Sequence, residues 1–150
     1  MENKAKLHRK NLLKLAVGLL SLPKNTDKFN MAIYLESPSL GETCRPTKVV
    51  ECGTAACAVG WAPTFGIKPK KNEDWEEYSE RTLIGESKDV YSTSEWDWCF
   101  SPRWALTDNT SHGAAKRIIW LLLHGLPDNH DDQRRGYDPL CYTKMKLPKP

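Results

Sequence analysis

The sequence predicts a mainly α fold: a compact single domain of four to five helices joined by long irregular loops. Three observations carry that reading. Apolar residues recur at helical spacing in two runs, one near the N-terminus and one around Ile118, and proline or glycine stops close each run. Cap-forming Ser, Thr or Asp residues precede several short apolar stretches. Val49-Val50-Glu51 is too short to make a strand of its own, and no internal repeat is visible. A length of 150 residues suits one domain with a real core.

In chain order, Leu7, Leu12, Leu15 and Leu19 predict an amphipathic helix over Lys4–Leu20, ended by Leu22-Pro23. Phe29–Leu35 is a short apolar segment, readable as a helical turn or as extended chain, and Ser37–Pro46 reads as loop. A second helix is expected at or just after Cys52, with Thr54 as N-cap and with Pro63 and Gly66 closing it. Ile67–Asp74 is a charged loop, and Trp75–Ile84 leans to helix. Ser92-x-x-Glu95 has the form of a capping box ahead of a short helix that carries Trp96, Trp98 and Phe100, limited by Pro102. Arg103–Asn109 reads as a connection. Thr110 or Ser111 then caps the clearest helix, which runs to His124 and stops at Gly125 and Pro127. The domain is thus placed at residues 1–127, with 128–150 a polar C-terminal tail partly pinned by Tyr137, Leu140 and Tyr142.

The formal charge of +3, from 22 basic and 19 acidic residues, is too mild for a dedicated nucleic-acid coat. Basic residues gather at the ends, as Lys4, Lys6, Arg9, Lys10 and Lys14 and again as Arg134, Arg135, Lys144, Lys146 and Lys149, but no nucleic-acid recognition motif accompanies them. The apolar run Leu12–Leu22 contains Lys14 and is too short to cross a bilayer, so no membrane partner is expected. No signal-peptide pattern is seen. With five cysteines, an odd number, the expectation is a cytoplasmic protein with reduced thiols. Six tryptophans are an excess for this length. Indoles so enriched either fill the core or line a binding surface.

Two stretches invite chemistry. Cys52-Gly-Thr-Ala-Ala-Cys57 lacks the second ligand pair that zinc would need: Cys44, Cys99 and Cys141 are scattered, and His8, His112, His124 and His130 form no ligand pattern. No metal and no cofactor are therefore expected. Cys52 at a helix entrance, with His112 and Asp108 or Asn109 as base and orienter, makes a thiol hydrolase or transferase a minor alternative. Gly53 and Thr54 would offer backbone N–H groups to an anion, although the loop is not a Walker motif, and the small residues equally suit close packing. Asp108-Asn-Thr-Ser-His-Gly113 is a second polar helix entrance, flanked by Arg103, Trp104, Lys116 and Arg117. A guanidinium and an indole face suit a flat anionic ligand. The plainer alternative has Asp108 or Thr110 capping the helix, Arg117 paired with a carboxylate and Trp104 in the core.

The motifs Cys52-Gly-Thr-x-x-Cys57-x-x-Gly60-Trp61 and Phe100-x-x-Arg-Trp-Ala-x-x-Asp-Asn-Thr-x-x-Gly-Ala-Ala-Lys-Arg-Ile118 give the chain a further context. On them it resembles a family of small, mostly uncharacterised proteins of tailed bacteriophages and some bacteria. That resemblance implies a viral accessory protein that modulates its host from within the bacterial cytoplasm, and it supplies no catalytic residues. The resulting expectation is a non-enzymatic, anti-defence binding protein that sequesters a small nucleotide-type signal, acting as a homo-oligomer. Its site would draw on Gly53, Thr54, Trp61, Trp96, Arg103, Trp104, Asp108, Asn109, His112 and Arg117. The alternative is direct inhibition of a host enzyme or defence complex, with the tryptophans as interface anchors.

Overall fold

A computed structural model describes residues 5–35, 44–49, 55–85 and 93–147. The fold is mainly α, as the sequence predicts. The described residues contain six α-helices: α1 (Arg9–Ser21), α2 (Ala58–Trp61), α3 (Trp75–Thr82), α4 (Ser94–Phe100), α5 (Ser111–His124) and α6 (His130–Arg135). Three 3₁₀ turns, Ala62–Phe65, Pro102–Leu106 and Cys141–Lys144, extend or replace helix where proline or a tight turn intervenes. A two-residue ribbon joins β1 (Lys6–Leu7) antiparallel to β2 (Ile84–Gly85), with Lys6 opposite Gly85 and Leu7 opposite Ile84.

Helices α1 and α5 lie along each other and form the spine. Leu12, Leu15, Ala16 and Leu19 of α1 and Ala114, Ala115, Ile118 and Leu121 of α5 are all buried, which is the apolar stripe that 3.6-residue spacing produces. The caps follow the local sequence. Asp74 accepts from the Glu77 amide at 2.8 Å, and Thr110 accepts from the Gly113 amide at 2.9 Å. Gly125 ends α5 at φ 75°. The ribbon claims Ile84 and Gly85, so α3 stops before the expected Ile84.

The second helix departs most from expectation. It starts at Ala58, with Cys57 as an extended N-cap, while Cys52, Gly53 and Thr54 lie outside the described residues. The reason is competition for backbone groups. Ala56 is bridged to Phe29: its amide donates to the Lys28 carbonyl and its carbonyl accepts from the Asn30 amide, both at 2.9 Å. The Cys57 amide donates to the Ile33 carbonyl at 2.7 Å. Helical turns cannot begin until those bonds are left behind. The ambiguous Phe29–Leu35 segment is therefore extended at Phe29 and serves as a backbone partner.

Two smaller differences have similar causes. The cap of α4 is Thr93, which accepts from the Trp96 amide at 3.2 Å, and the expected cap Ser92 lies outside the described residues. The connection after Phe100 is a 3₁₀ turn, begun by Pro102 and capped by Ser101, whose Oγ accepts from the Arg103 amide. The C-terminal segment is held by Tyr142, fully buried, and by Gln133, whose Oε1 accepts from the Cys141 amide at 2.8 Å. Tyr137, expected among its anchors, is 71% exposed.

Candidate functional site

At the second helix entrance the chain's own groups pair with one another, beside a hollow of about 260 Å³ whose walls include Lys24, Asp108, His112, Lys116 and Tyr142. Arg117 sits one turn into α5 with its side chain wholly buried. Its Nη1 donates to Tyr142 Oη at 2.9 Å and to Asp108 Oδ2 at 3.2 Å, and its guanidinium lies 4.2 Å from the centre of the Trp104 ring. Tyr142 Oη donates to Asp108 Oδ2 at 3.0 Å, and Thr110 Oγ1 donates to Asp108 Oδ1 at 2.8 Å. A side chain at Gly113 would run into the Asp108 carboxylate, so glycine is what lets that carboxylate rest against the first turn of α5. The carboxylate stands where an incoming anion was expected, and it complements the positive helix end.

Around this pair, Trp98 and Trp104 meet edge to face at 5.5 Å, and both rings pack against Tyr142. Trp98 Nε1 donates to the Arg117 carbonyl at 2.9 Å, and Trp104 Nε1 donates to the Trp98 carbonyl at 2.8 Å. Burial and the neighbouring Asp108 raise the Tyr142 hydroxyl above its usual range against the opposing pull of Arg117, so the phenol stays protonated and able to donate. Trp104 and Arg117 thus belong to an interior cluster that ties α4, α5 and the C-terminal turn together. Their expected place in a ligand pocket is corrected accordingly.

The other expected site residues divide. Asn109 Oδ1 accepts from the Met31 amide at 2.7 Å, and His112 Nε2 pairs with the Leu22 carbonyl at 2.9 Å, so both brace loops. Trp61 is buried and donates to the Lys28 carbonyl at 3.1 Å. Arg103 is exposed, and its guanidinium has no partner among the described residues. Gly53 and Thr54 lie outside the described residues.

One cleft does bring the two motif regions together. It encloses about 270 Å³ between segment 31–34 and α4, and its walls include Tyr34, Cys57, Trp96, Phe100 and Pro102. Segment 29–33 makes the junction, bonding to Ala56 and Cys57 on one side and to Asn109 on the other. Trp96 and Phe100 pack at 4.7 Å between ring centres, and Asp97 supplies a carboxylate at the edge. Partial burial raises the Asp97 carboxyl, opposed by Arg134 at 3.3 Å. Of the sequence-predicted residues only Trp96 lines this cleft; Arg103 follows the lining residue Pro102 in the chain but is not part of the wall. Sequence reasoning misses Tyr34 and Met31 because their apolar segment carries no chemical signature. Its position ahead of the glycine-rich motif is the available signal.

Thiol chemistry finds little support in this arrangement. Cys57 lines the cleft, but burial pushes its thiol up to about 11, and burial also raises Cys99 well above the ordinary range. Cys52 lies outside the described residues, and His112 is engaged with the Leu22 carbonyl. Cys44 is disulfide-bonded, which corrects the expectation of uniformly reduced thiols and weighs against the cytoplasm, where such bonds are rare. No group of three or more metal-ligating side chains occurs among the described residues, and none of their helices is long and apolar enough to cross a membrane. Comparison of the chain with protein-family models, with curated proteins and with solved structures finds no match to any of them.

Proposed function

We propose that this chain is a binding protein whose ligand is small and carries a flat ring, a nucleotide-type signal being the class, held in the cleft between residues 31–34 and α4. The observation that carries the reading is the meeting of both sequence motifs at one aromatic-walled hollow, with Trp96 and Phe100 as ring partners and Asp97 as an acceptor for a ring amine. Arg103, exposed and next in the chain to the cleft-lining Pro102, is the group suited to a phosphate. The volume of about 270 Å³ lies below the ~300–1,000 Å³ of typical small-molecule sites, so it favours a single base with its phosphate outside over a whole cyclic dinucleotide. The setting we propose is a phage accessory role in the bacterial host. That setting rests on the sequence resemblance, and the cytoplasmic part of it is opposed by the cross-link at Cys44.

Calorimetry and tryptophan quenching against mononucleotides, cyclic mono-, di- and trinucleotides and cyclic ADP-ribose isomers test this reading. Binding should weaken about tenfold or more in Ala32→Arg, which blocks the mouth from an exposed position, and in Arg103→Ala, with unfolding midpoints unchanged. No heat with any member of the panel overturns it. For the alternative of direct protein inhibition, Trp61, Trp75, Trp96, Trp98 and Trp104 are buried, which leaves the half-buried Trp120 as the tryptophan best placed to serve as an anchor.

A further inference from the structure

Helices α1 and α5 leave an apolar trough on their outer side. A hollow of about 420 Å³ there is lined by Arg9, Lys10, Leu13, Ile119, Leu122 and Leu123. Leu13 is 51% exposed, Leu123 67%, and Val17, one turn beyond Leu13, 59%. Leu13 and Val17, one turn apart on α1, and Leu123 on the adjacent α5 do nothing for the core that the opposite stripe does not already do. A second hollow adjoins the first, sharing Arg9 and Leu122 and continuing to Leu7, Glu95 and Leu126. Arg9 spans the boundary, its Nη2 donating to the Leu122 carbonyl at 2.5 Å.

The charges are one-sided. Neither α1 nor α5 contains an Asp or Glu, and among the described residues the only charged side chains lining the larger hollow are Arg9 and Lys10. Glu95 enters only at the far end, in the second hollow. We propose that this trough docks an amphipathic helix of a protein partner, one with leucine-like residues on its apolar face and Asp or Glu along its flanks. Two parallel ridges with a hollow between them accept a third helix by ridge-into-groove packing, and anchors at i, i+3, i+4 and i+7 reach such a hollow. Acidic flanks would meet Arg9 and Lys10 and set the partner's orientation. A second copy of this chain would bring Arg9 and Lys10 against themselves across a two-fold axis. A lipid surface would take apolar residues that protrude, and here they wall a concavity.

The test uses the full-length protein and a fluorescein-labelled synthetic helix of about 14 residues, the length α5 presents at ~1.5 Å per residue. It carries leucines at helical spacing and glutamates on both flanks, and a second peptide replaces every glutamate by lysine. Anisotropy should show saturable binding of the acidic peptide, weakening with added salt, and about tenfold or more weaker binding of the lysine form. Leu13→Asp and Leu123→Asp should each cut binding by about tenfold, and because both positions are exposed their melting curves should match the parent. Lys10→Glu should narrow the preference between the two peptides. Absence of binding, or equal binding of both peptides, overturns the proposal. So does parent protein that ignores the peptide but sediments with phosphatidylglycerol vesicles, or parent protein that ignores the peptide and is dimeric where Leu123→Asp is monomeric.

Discussion

Replacing Asp108 by alanine should be among the most destabilising single changes in this protein, and the structure gives the size. Arg117 is wholly buried, and its Nη1 has three oxygen partners: Asp108 Oδ2 at 3.2 Å, the Asp108 carbonyl at 3.5 Å and Tyr142 Oη at 2.9 Å. Its Nε and Nη2 have no hydrogen-bond partner among the described residues, so Asp108 is the one anion among them that balances the guanidinium. Removing one member of a buried ion pair costs about 3–5 kcal/mol, because the remaining charge stays out of water. The stack on Trp104 survives and retains about 1–2 kcal/mol. The hydroxyls of Tyr142 and Thr110 lose their acceptor at about 1 kcal/mol each. The net expectation is a loss of about 4 kcal/mol, against a total of about 5–15 kcal/mol for a domain of this kind. Urea unfolding followed by tryptophan fluorescence measures it, with the m-value unchanged. The second half of the argument is sharper: Arg117→Met in the Asp108→Ala background should recover more than half the loss, since no charge is then stranded. A single variant that loses less than about 1 kcal/mol, or a double variant no better than the single, would refute the account of this cluster.

Three further outcomes follow from local geometry. Gly60→Ala should cost about 3 kcal/mol, because the new Cβ would land on the Tyr34 carbonyl, a backbone atom that cannot turn aside; a cost below about 1 kcal/mol in the same urea assay contradicts that close approach. Iodoacetamide near neutral pH should leave Cys57 and Cys99 unmodified in the native protein and label both after unfolding, since burial keeps the two thiols protonated; mass spectrometry of the native digest showing labelled Cys57 would count against this. Glu73 accepts from Arg81 Nε at 2.7 Å and Nη2 at 2.8 Å, and this bonding holds its carboxyl below the ordinary 4.5, so its stabilisation is present above that value and is lost as pH falls through the lower folded value. Glu73→Gln should flatten the fall in unfolding midpoint below about pH 4.5, and an unchanged acid limb shows that the pair contributes nothing.

The spine of the fold was legible because it is made of local signals. Leu12, Leu15 and Leu19 share a face by spacing alone, and Thr110 and Gly125 mark the ends of α5 with groups that act within one turn. The start of α2 was not legible, because its position depends on the Lys28 carbonyl and the Asn30 amide claiming the backbone of Ala56, and those groups lie far from Ala56 in sequence. The pocket residues failed for a related reason. Trp104 and Arg117 do have the chemistry of an anion site, but residue type does not say whether the matching carboxylate is a ligand's or the chain's own. Asp108 and the distant Tyr142 supply the answer.

The excess of tryptophan has a structural use that periodicity could not show. Trp61 donates to the Lys28 carbonyl, Trp75 to the Cys44 carbonyl at 2.7 Å, Trp98 to the Arg117 carbonyl and Trp104 to the Trp98 carbonyl. Lys28 and Cys44 stand in segments without helix or named strand, where a carbonyl has few regular partners. An indole covers a large apolar area and carries one donor at its edge, so each ring packs the core and satisfies a carbonyl at once. In a domain whose helices α2, α3, α4 and α6 are little more than two turns or shorter, side-chain donors of this kind take over work that longer ladders would otherwise do. It follows that the donor of an indole, and not its volume alone, matters at Trp61 and Trp75. Phenylalanine there would keep most of the buried area and still strand a carbonyl, whereas on the exposed faces of α1 and α5 side-chain shape and charge are free to serve a partner.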